Sequence, residues 1–294
     1  MRLRKEEQRY ALKLITPSMI VVFGVIIVPI ITTLIYTLVN IDPLSSHKGE
    51  FAGLSFYAKA ITSREFWEDL RRTLHFTIAS TALETIIGLF VALLLNQRFP
   101  GVRFLRSIII IPWAIPTVVN GSLWKLMLNG EYGVINALLT RMHLIDSYQS
   151  WLGNPGTAML CIIIADAWKM TPLAVIFFLA ALQGIDKTRY EAAMVDGAGA
   201  FRRFWAITLP ALKPTIMVII VMRTVEKFKA FDIFYLMTRG GPANSTRTLM
   251  YDTYLQAFTN LNYSEAATLA YLIVLVVVML TVVYIRLMKR GDQE

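Results

Sequence analysis

Long uncharged runs alternate with short charged ones along this chain, and a run of about 20 apolar residues is enough to cross a bilayer as a helix. The pattern predicts six spans, at about 14–40, 73–97, 107–125, 157–182, 213–237 and 266–286. The first comes after a basic flank of Arg2, Arg4, Lys5, Arg9 and Lys13. It exceeds a signal-peptide core and has no small-residue cleavage pattern after it, so it is expected to remain as a helix, with Pro17 and Pro29 as bending points. The second run is broken only by Glu84, and the third contains Pro112 and Pro116. Membrane helices tolerate such prolines where neighbours satisfy the freed carbonyls. Asp166 and Lys169 lie inside the fourth run, and the sixth is uncharged until Arg286, Lys289 and Arg290. Between the runs, 42–72 mixes charge with Phe51, Phe56, Tyr57, Phe66 and Trp67, as an interfacial helix would, and 125–156 holds turn signals such as Asn129-Gly130 and Asn154-Pro155-Gly156. No internal repeat or low-complexity tract interrupts the series. The chain reads as one all-α transmembrane domain, 1–294.

Composition agrees, since 56% hydrophobic and 17% charged residues are too apolar a mixture for an ordinary soluble domain. A net charge of +9 could point to nucleic acid, but its distribution does not. The N-terminus, the 98–106 and 186–213 loops and the tail hold 16 basic and 7 acidic residues; the opposite side holds 9 of each, and the spans 4 of each. Six spans put both termini on one side, and the positive-inside rule makes that side cytoplasmic. The single cysteine, Cys161, and the scattered His47, His75 and His143 offer no disulfide or metal framework. Gly-x-x-x-x-Gly-Lys-Ser/Thr, His-Glu-x-x-His and Gly-x-Ser-x-Gly are all missing, so no enzymatic or ATPase role is expected of this chain.

The most specific stretch is the polar island between the fourth and fifth runs. Glu191 to Asp196 suits a short helix, Gly197 and Gly199 interrupt it, and Phe201, Phe204, Trp205 and Thr208 resume helical spacing until Pro210 and Pro214 restrict the next turns. Spacing alone also allows a helix lying on the membrane surface. The residues Glu191-Ala192-Ala193-x-x-Asp196-Gly197-Ala198, then Phe204 and Ile207-Thr208-Leu209-Pro210, resemble the EAA loop of binding-protein-dependent ABC importers. The resemblance implies a type I (MetI-like) importer transmembrane domain in a prokaryotic cytoplasmic membrane. It also implies that the cytoplasmic 186–210 loop docks on an ABC ATPase through Glu191, Ala192, Ala193, Asp196, Gly197 and Ala198. Further expected partners are a second permease subunit, an extracytoplasmic solute-binding protein and a sugar. ATP and Mg would sit on the ATPase dimer, with no cofactor on this chain.

The fifth run is anomalous, because Arg223, Glu226, Lys227, Lys229 and Asp232 interrupt a segment that must span. Intramembrane charges usually face a bundle interior or a watery cavity. At about 100° per residue, Arg223, Glu226, Lys227 and Ala230 share one stripe, a candidate pore face, and Lys229 and Asp232 point away. Three readings stand: an i,i+3 Arg223–Glu226 pair that holds helices together, a hydrogen-bonding surface for sugar hydroxyls, or an anion site using Arg223 and Lys227. Asp166, Trp168 and Lys169 on the fourth run join the candidate path, Trp168 as a platform for a sugar ring or as a packing residue. Residues 165–172 and 223–228, aligned on Gly240-Gly241-Pro242, resemble the maltose and trehalose permeases, with charges here where many of those carry neutral amides and hydroxyls. Glu84 and Asn120 are buried polar positions whose role the sequence leaves open; most such residues are interhelical hydrogen-bonders. A different class fits the same charges: an ion-coupled secondary transporter with Arg223/Glu226 and Asp166/Lys169 as its relay.

Overall fold

The computed structural model describes residues 2–44 and 46–291. Side chains of residues 2–6, 8 and 287–291 lie outside that description, among them the flanking Arg2, Arg4, Lys5, Lys289 and Arg290. In chain order the helices are α1 (Arg2–Val22), α2 (Val28–Leu38), α3 (Ser55–Thr62), α4 (Arg64–Leu95), α5 (Val102–Ile108), α6 (Ile111–Ala114), α7 (Thr117–Met127) and α8 (Val134–Arg141). They continue with α9 (Pro155–Gln183), α10 (Lys187–Val195), α11 (Ala200–Arg203), α12 (Leu209–Phe228), α13 (Asp232–Met237), α14 (Leu249–Tyr254) and α15 (Tyr263–Gly291). Single π turns join α1 to α2 and α11 to α12. Among the described residues, five helical segments are long and apolar enough to cross a membrane: 9–38, 64–95, 155–183, 200–228 and 263–286.

Contacts divide the chain into two units. The first comprises residues 1–66 and 253–272. Within it the Ser264 hydroxyl donates to the Val39 carbonyl at 2.9 Å and accepts from the Ile41 N–H at 3.0 Å, while the Asp42 carboxylate accepts from the Ser264 N–H at 3.0 Å. These bonds tie the end of α2 to the start of α15. Lys59 pairs with Glu265. Pro17 and Pro29 do not stop the first helix, because a π turn at Phe23–Ile27 carries it on into α2.

The second unit comprises residues 67–252 and 273–294. Its central helix is α9, most of whose apolar residues are buried, with Leu160, Ile164, Trp168 and Ile176 left exposed. Ala174, Val175, Phe178 and Leu182 pack with Ala92 and Leu95 of α4 and Leu212 and Ile219 of α12. Closeness is set by Gly88, where an added Cβ would sit 2.7 Å from that of Ala174. Small residues allow such approaches between membrane helices.

Two spans differ from their sequence expectation. The third is not one straight helix across 107–125: Val102–Ala114 and Thr117–Met127 meet at 93°. Pro116 drives the preceding Ile115 to extended geometry, φ −72° and ψ 129°, and that ends α6. The fifth span begins earlier and ends sooner than 213–237. Helix runs without a break from Ala200 to Phe228, stops at Lys229, and restarts as α13 at Asp232. The π turn at Phe204–Thr208 lies directly before Pro210, where a missing N–H needs room, and Pro214 is carried inside α12.

Candidate functional site

The 186–210 island folds as helix, sharp turn, helix. The Asp186 carboxylate caps α10 by accepting from the Thr188 N–H at 2.9 Å, and that bond holds its carboxyl below the usual value. At the other end Ala198 N–H donates to Ala193 C=O at 2.8 Å and Gly197 N–H to Met194 C=O at 3.0 Å. That is a Schellman closure, with Gly197 at φ +75°, and it satisfies carbonyls the helix leaves open. Gly199 is different: its φ of −65° is ordinary, and it stands at the N-cap of α11.

Glu191, Ala192, Asp196 and Gly197 are exposed, and Ala193 and Ala198 half-buried. The Tyr190 and Thr208 hydroxyls hydrogen-bond at 2.9 Å, fastening α10 to the segment leading into α12. Between those two walls lies a cavity of about 530 Å³, lined by Arg189, Ala192, Ala193 and Asp196 on one side and Ala206, Ile207, Pro210 and Ala211 on the other. Val195 is 88% exposed, and Met194, Phe201 and Trp205 are also exposed. Exposed apolar side chains on a charged loop suit contact with a protein or with a membrane surface.

The intramembrane charges converge where α4, α9 and α12 meet. Glu84 accepts from Arg223 Nε at 2.7 Å and Nη2 at 3.3 Å, from Lys227 Nζ at 2.5 Å, and from the Ser80 hydroxyl at 3.2 Å. The Ser80 hydroxyl also reaches Asp166 at 2.6 Å, and Asp166 pairs with Lys227. Arg223 further pairs with Glu226, the i,i+3 contact expected from spacing. Lys227 Nζ lies 5.2 Å from the centroid of the Phe76 ring, which packs edge-on against Phe234. Three carboxylates thus face two cations.

The structure brings together Arg223, Glu226, Lys227 and Asp166, but not as one open pore face. Arg223 and Lys227 are each 2% exposed, whereas Glu226 is exposed at the cluster's edge. Ala230 does not join the stripe, because α12 has ended by Lys229 and helical register no longer applies. Lys229 and Asp232 are exposed. Trp168 is 43% exposed and stands edge-on to Trp124 at 6.1 Å, while Lys169 beside it is buried. Asn120 donates to the Ala165 carbonyl at 3.2 Å, and its own side-chain oxygen is buried without a partner. Glu84 is the residue whose role sequence reading left open, yet it is the centre of the cluster. Its signal was being the one acid in the 73–97 run. Among the described residues no three His, Cys, Asp or Glu side chains are placed to hold a metal ion.

Comparison with known proteins agrees with this outline. The family described as "binding-protein-dependent transport system inner membrane component" matches residues 84–293. Over 288 residues, 97% of this chain and 95% of the other, the sequence is 38% identical to the trehalose/maltose transport system permease protein MalF of Thermococcus litoralis. It is 33% identical to the sulfoquinovosyl glycerol transport system permease protein SmoG of Agrobacterium fabrum, over 96% of this chain and 91% of the other. The backbone matches a chain of a bacterial ABC transporter involved in the import of the acidic polysaccharide alginate with a TM-score of 0.84, covering 99% of each at 21% identity, which is a likeness of fold.

Proposed function

Because the chain belongs to the family of binding-protein-dependent transport system inner membrane components, whose members are non-catalytic membrane subunits, we propose that it forms half of the translocation pathway of an ATP-driven sugar importer. Its all-α fold is that of an importer transmembrane domain. The sugar in this reading is a disaccharide such as trehalose or maltose, supported by the similarity to MalF. The partners are a second permease, an ABC ATPase dimer that binds ATP and Mg, and an extracytoplasmic solute-binding protein.

One observation carries the coupling mechanism: the 186–210 loop and the charge cluster share a continuous helix. Residues 200–228 form one helical segment, so Phe201 and Trp205 at the loop and Arg223 at the cluster move as parts of one rod. In the proposed cycle, ATP binding draws the ATPases together and shifts α10 with the start of that rod. The far end then rearranges the helices around Glu84 and switches the cavity between its two openings. Glu191, Ala192, Ala193, Asp196, Gly197 and Ala198 would meet the ATPase on the cytoplasmic side.

The sugar face in this reading is the accessible rim of the cluster, with Glu226 accepting from hydroxyls and Trp168 beside Trp124 offering an aromatic wall. Arg223 and Lys227 are spent on carboxylates, which favours a neutral saccharide over an anion. Uptake of labelled trehalose and maltose into vesicles carrying the full complex tests the proposal. Uptake should depend on internal ATP and survive an uncoupler. Collapse under the uncoupler at constant ATP would make the chain an ion-coupled transporter instead.

A further inference from the structure

A second cavity, of about 790 Å³, lies between α4 and the start of α9, away from the charge cluster. On α4 the lining residues Arg71, His75, Ala79 and Leu83 fall four apart on one stripe. That stripe runs about 18 Å from cationic to alkyl side chains. On α9 the facing wall begins at Gly156, beside the positive end of a 29-residue helix, and descends through Met159 to Ile163. Arg72 and Ser245 complete the polar end.

Arg72 at that end is paired, whereas Arg71 has no carboxylate partner among the described residues. Arg72 donates to Asp69 at 2.7 Å and to Glu68 at 3.0 Å, and Arg247 also takes Asp69, at 2.8 Å. Nearby carboxylates are thereby engaged, and among the described residues neither Arg71 nor His75 has a carboxylate partner. The Ser245 hydroxyl oxygen is buried without a hydrogen-bond partner. Asn154 already accepts the Gly156 N–H at 2.8 Å, so that donor at the helix start is engaged.

We propose that this cavity is a binding site for an anionic glycerophospholipid. Phosphodiester oxygens accept hydrogen bonds from Arg71, His75 and Ser245, and an acyl chain lies along Ala79, Leu83, Met159 and Ile163. A free anion would fill only the polar end, and a neutral saccharide would leave the Arg71 charge unpaired. A lipid accounts for both ends, and the surrounding bilayer supplies it. The site does not depend on the transported solute.

Native mass spectrometry of the purified full complex, exposed to micelles of phosphatidylglycerol or phosphatidylcholine, tests this. Wild type should retain phosphatidylglycerol preferentially. Arg71→Gln/His75→Gln should lose it by about fivefold or more, the order expected for losing a basic side chain near a membrane surface. Arg71→Lys should retain most of it, and Ala79→Phe, which fills the apolar end without touching charge, should lose it. Both substituted positions are exposed, so folding should survive, as a complex of unchanged mass and subunit composition would report. Equal retention by wild type and Arg71→Gln/His75→Gln overturns the proposal. So does unchanged binding in Ala79→Phe, displacement by inorganic phosphate alone, or an effect confined to binding of a solute-binding protein.

Discussion

Glu84 takes hydrogen bonds from three side chains, and two of those donors lie 139 and 143 residues further along the chain. No local rule of spacing reaches that far. The i,i+3 pairing of Arg223 with Glu226 was legible because it lives on one helix; the stronger partnership was not, because it depends on how α4 and α12 pack. Burial settles what the charges do. An ion pair this deep contributes little net stability when intact, but removing one partner strands the others and costs about 3–5 kcal/mol. Glu84→Gln, similar in size and uncharged, should therefore lower the thermal unfolding midpoint of the detergent-solubilised complex markedly. Adding Arg223→Met should recover part of the loss, since Lys227 keeps Asp166 as a partner. If the single variant were as stable as its parent, the cluster would be hydrated, and Arg223 and Lys227 would again be candidates for touching substrate.

At the scale of elements, the broken helix at 186–210 was readable from residue types alone. Gly197 has a forced role there, since φ +75° is costly for any residue with a Cβ. Side-chain space is not the constraint: nothing lies within 4 Å of where a Cβ would be built. Substitutions should therefore rank by backbone preference. Gly197→Asn should be mildest, because Asn visits the left-handed region, Gly197→Ala worse, and Gly197→Val worst at about 1–2 kcal/mol of local strain. In the proposed importer that order should reappear in the fraction of ATPase retained on purification and in sugar uptake, with membrane insertion unchanged. Equal retention across the series would separate the turn from docking. The bend at Ile115–Pro116 and the break at Lys229 were not legible. A window average counts apolar residues, and neither a proline-forced ψ nor a helix end between charged residues changes that count.

Over the whole molecule, the excess of basic residues predicts which way the chain faces. On a six-span topology the side carrying the loop and the termini would hold 16 basic and 7 acidic residues, against 9 and 9 on the other. Anionic lipid and the membrane potential retain cations inside, so the 186–210 loop should be cytoplasmic. The chain lends itself to a direct measurement, because Cys161 is its one cysteine and is buried inside α9. In a Cys161→Ala background, a cysteine at Val195, 88% exposed beside the Schellman turn, should react with a membrane-impermeant maleimide only after cells are opened. A cysteine at Tyr132, 66% exposed in the 125–156 segment, should react in intact cells. The pair guards against silence from either probe alone, since both sites must label in lysate for the comparison to count. Reversal of the two would put the 186–210 loop outside. No ATP-driven subunit could then reach it, and the coupling role proposed for Glu191 to Ala198 would fall with the topology.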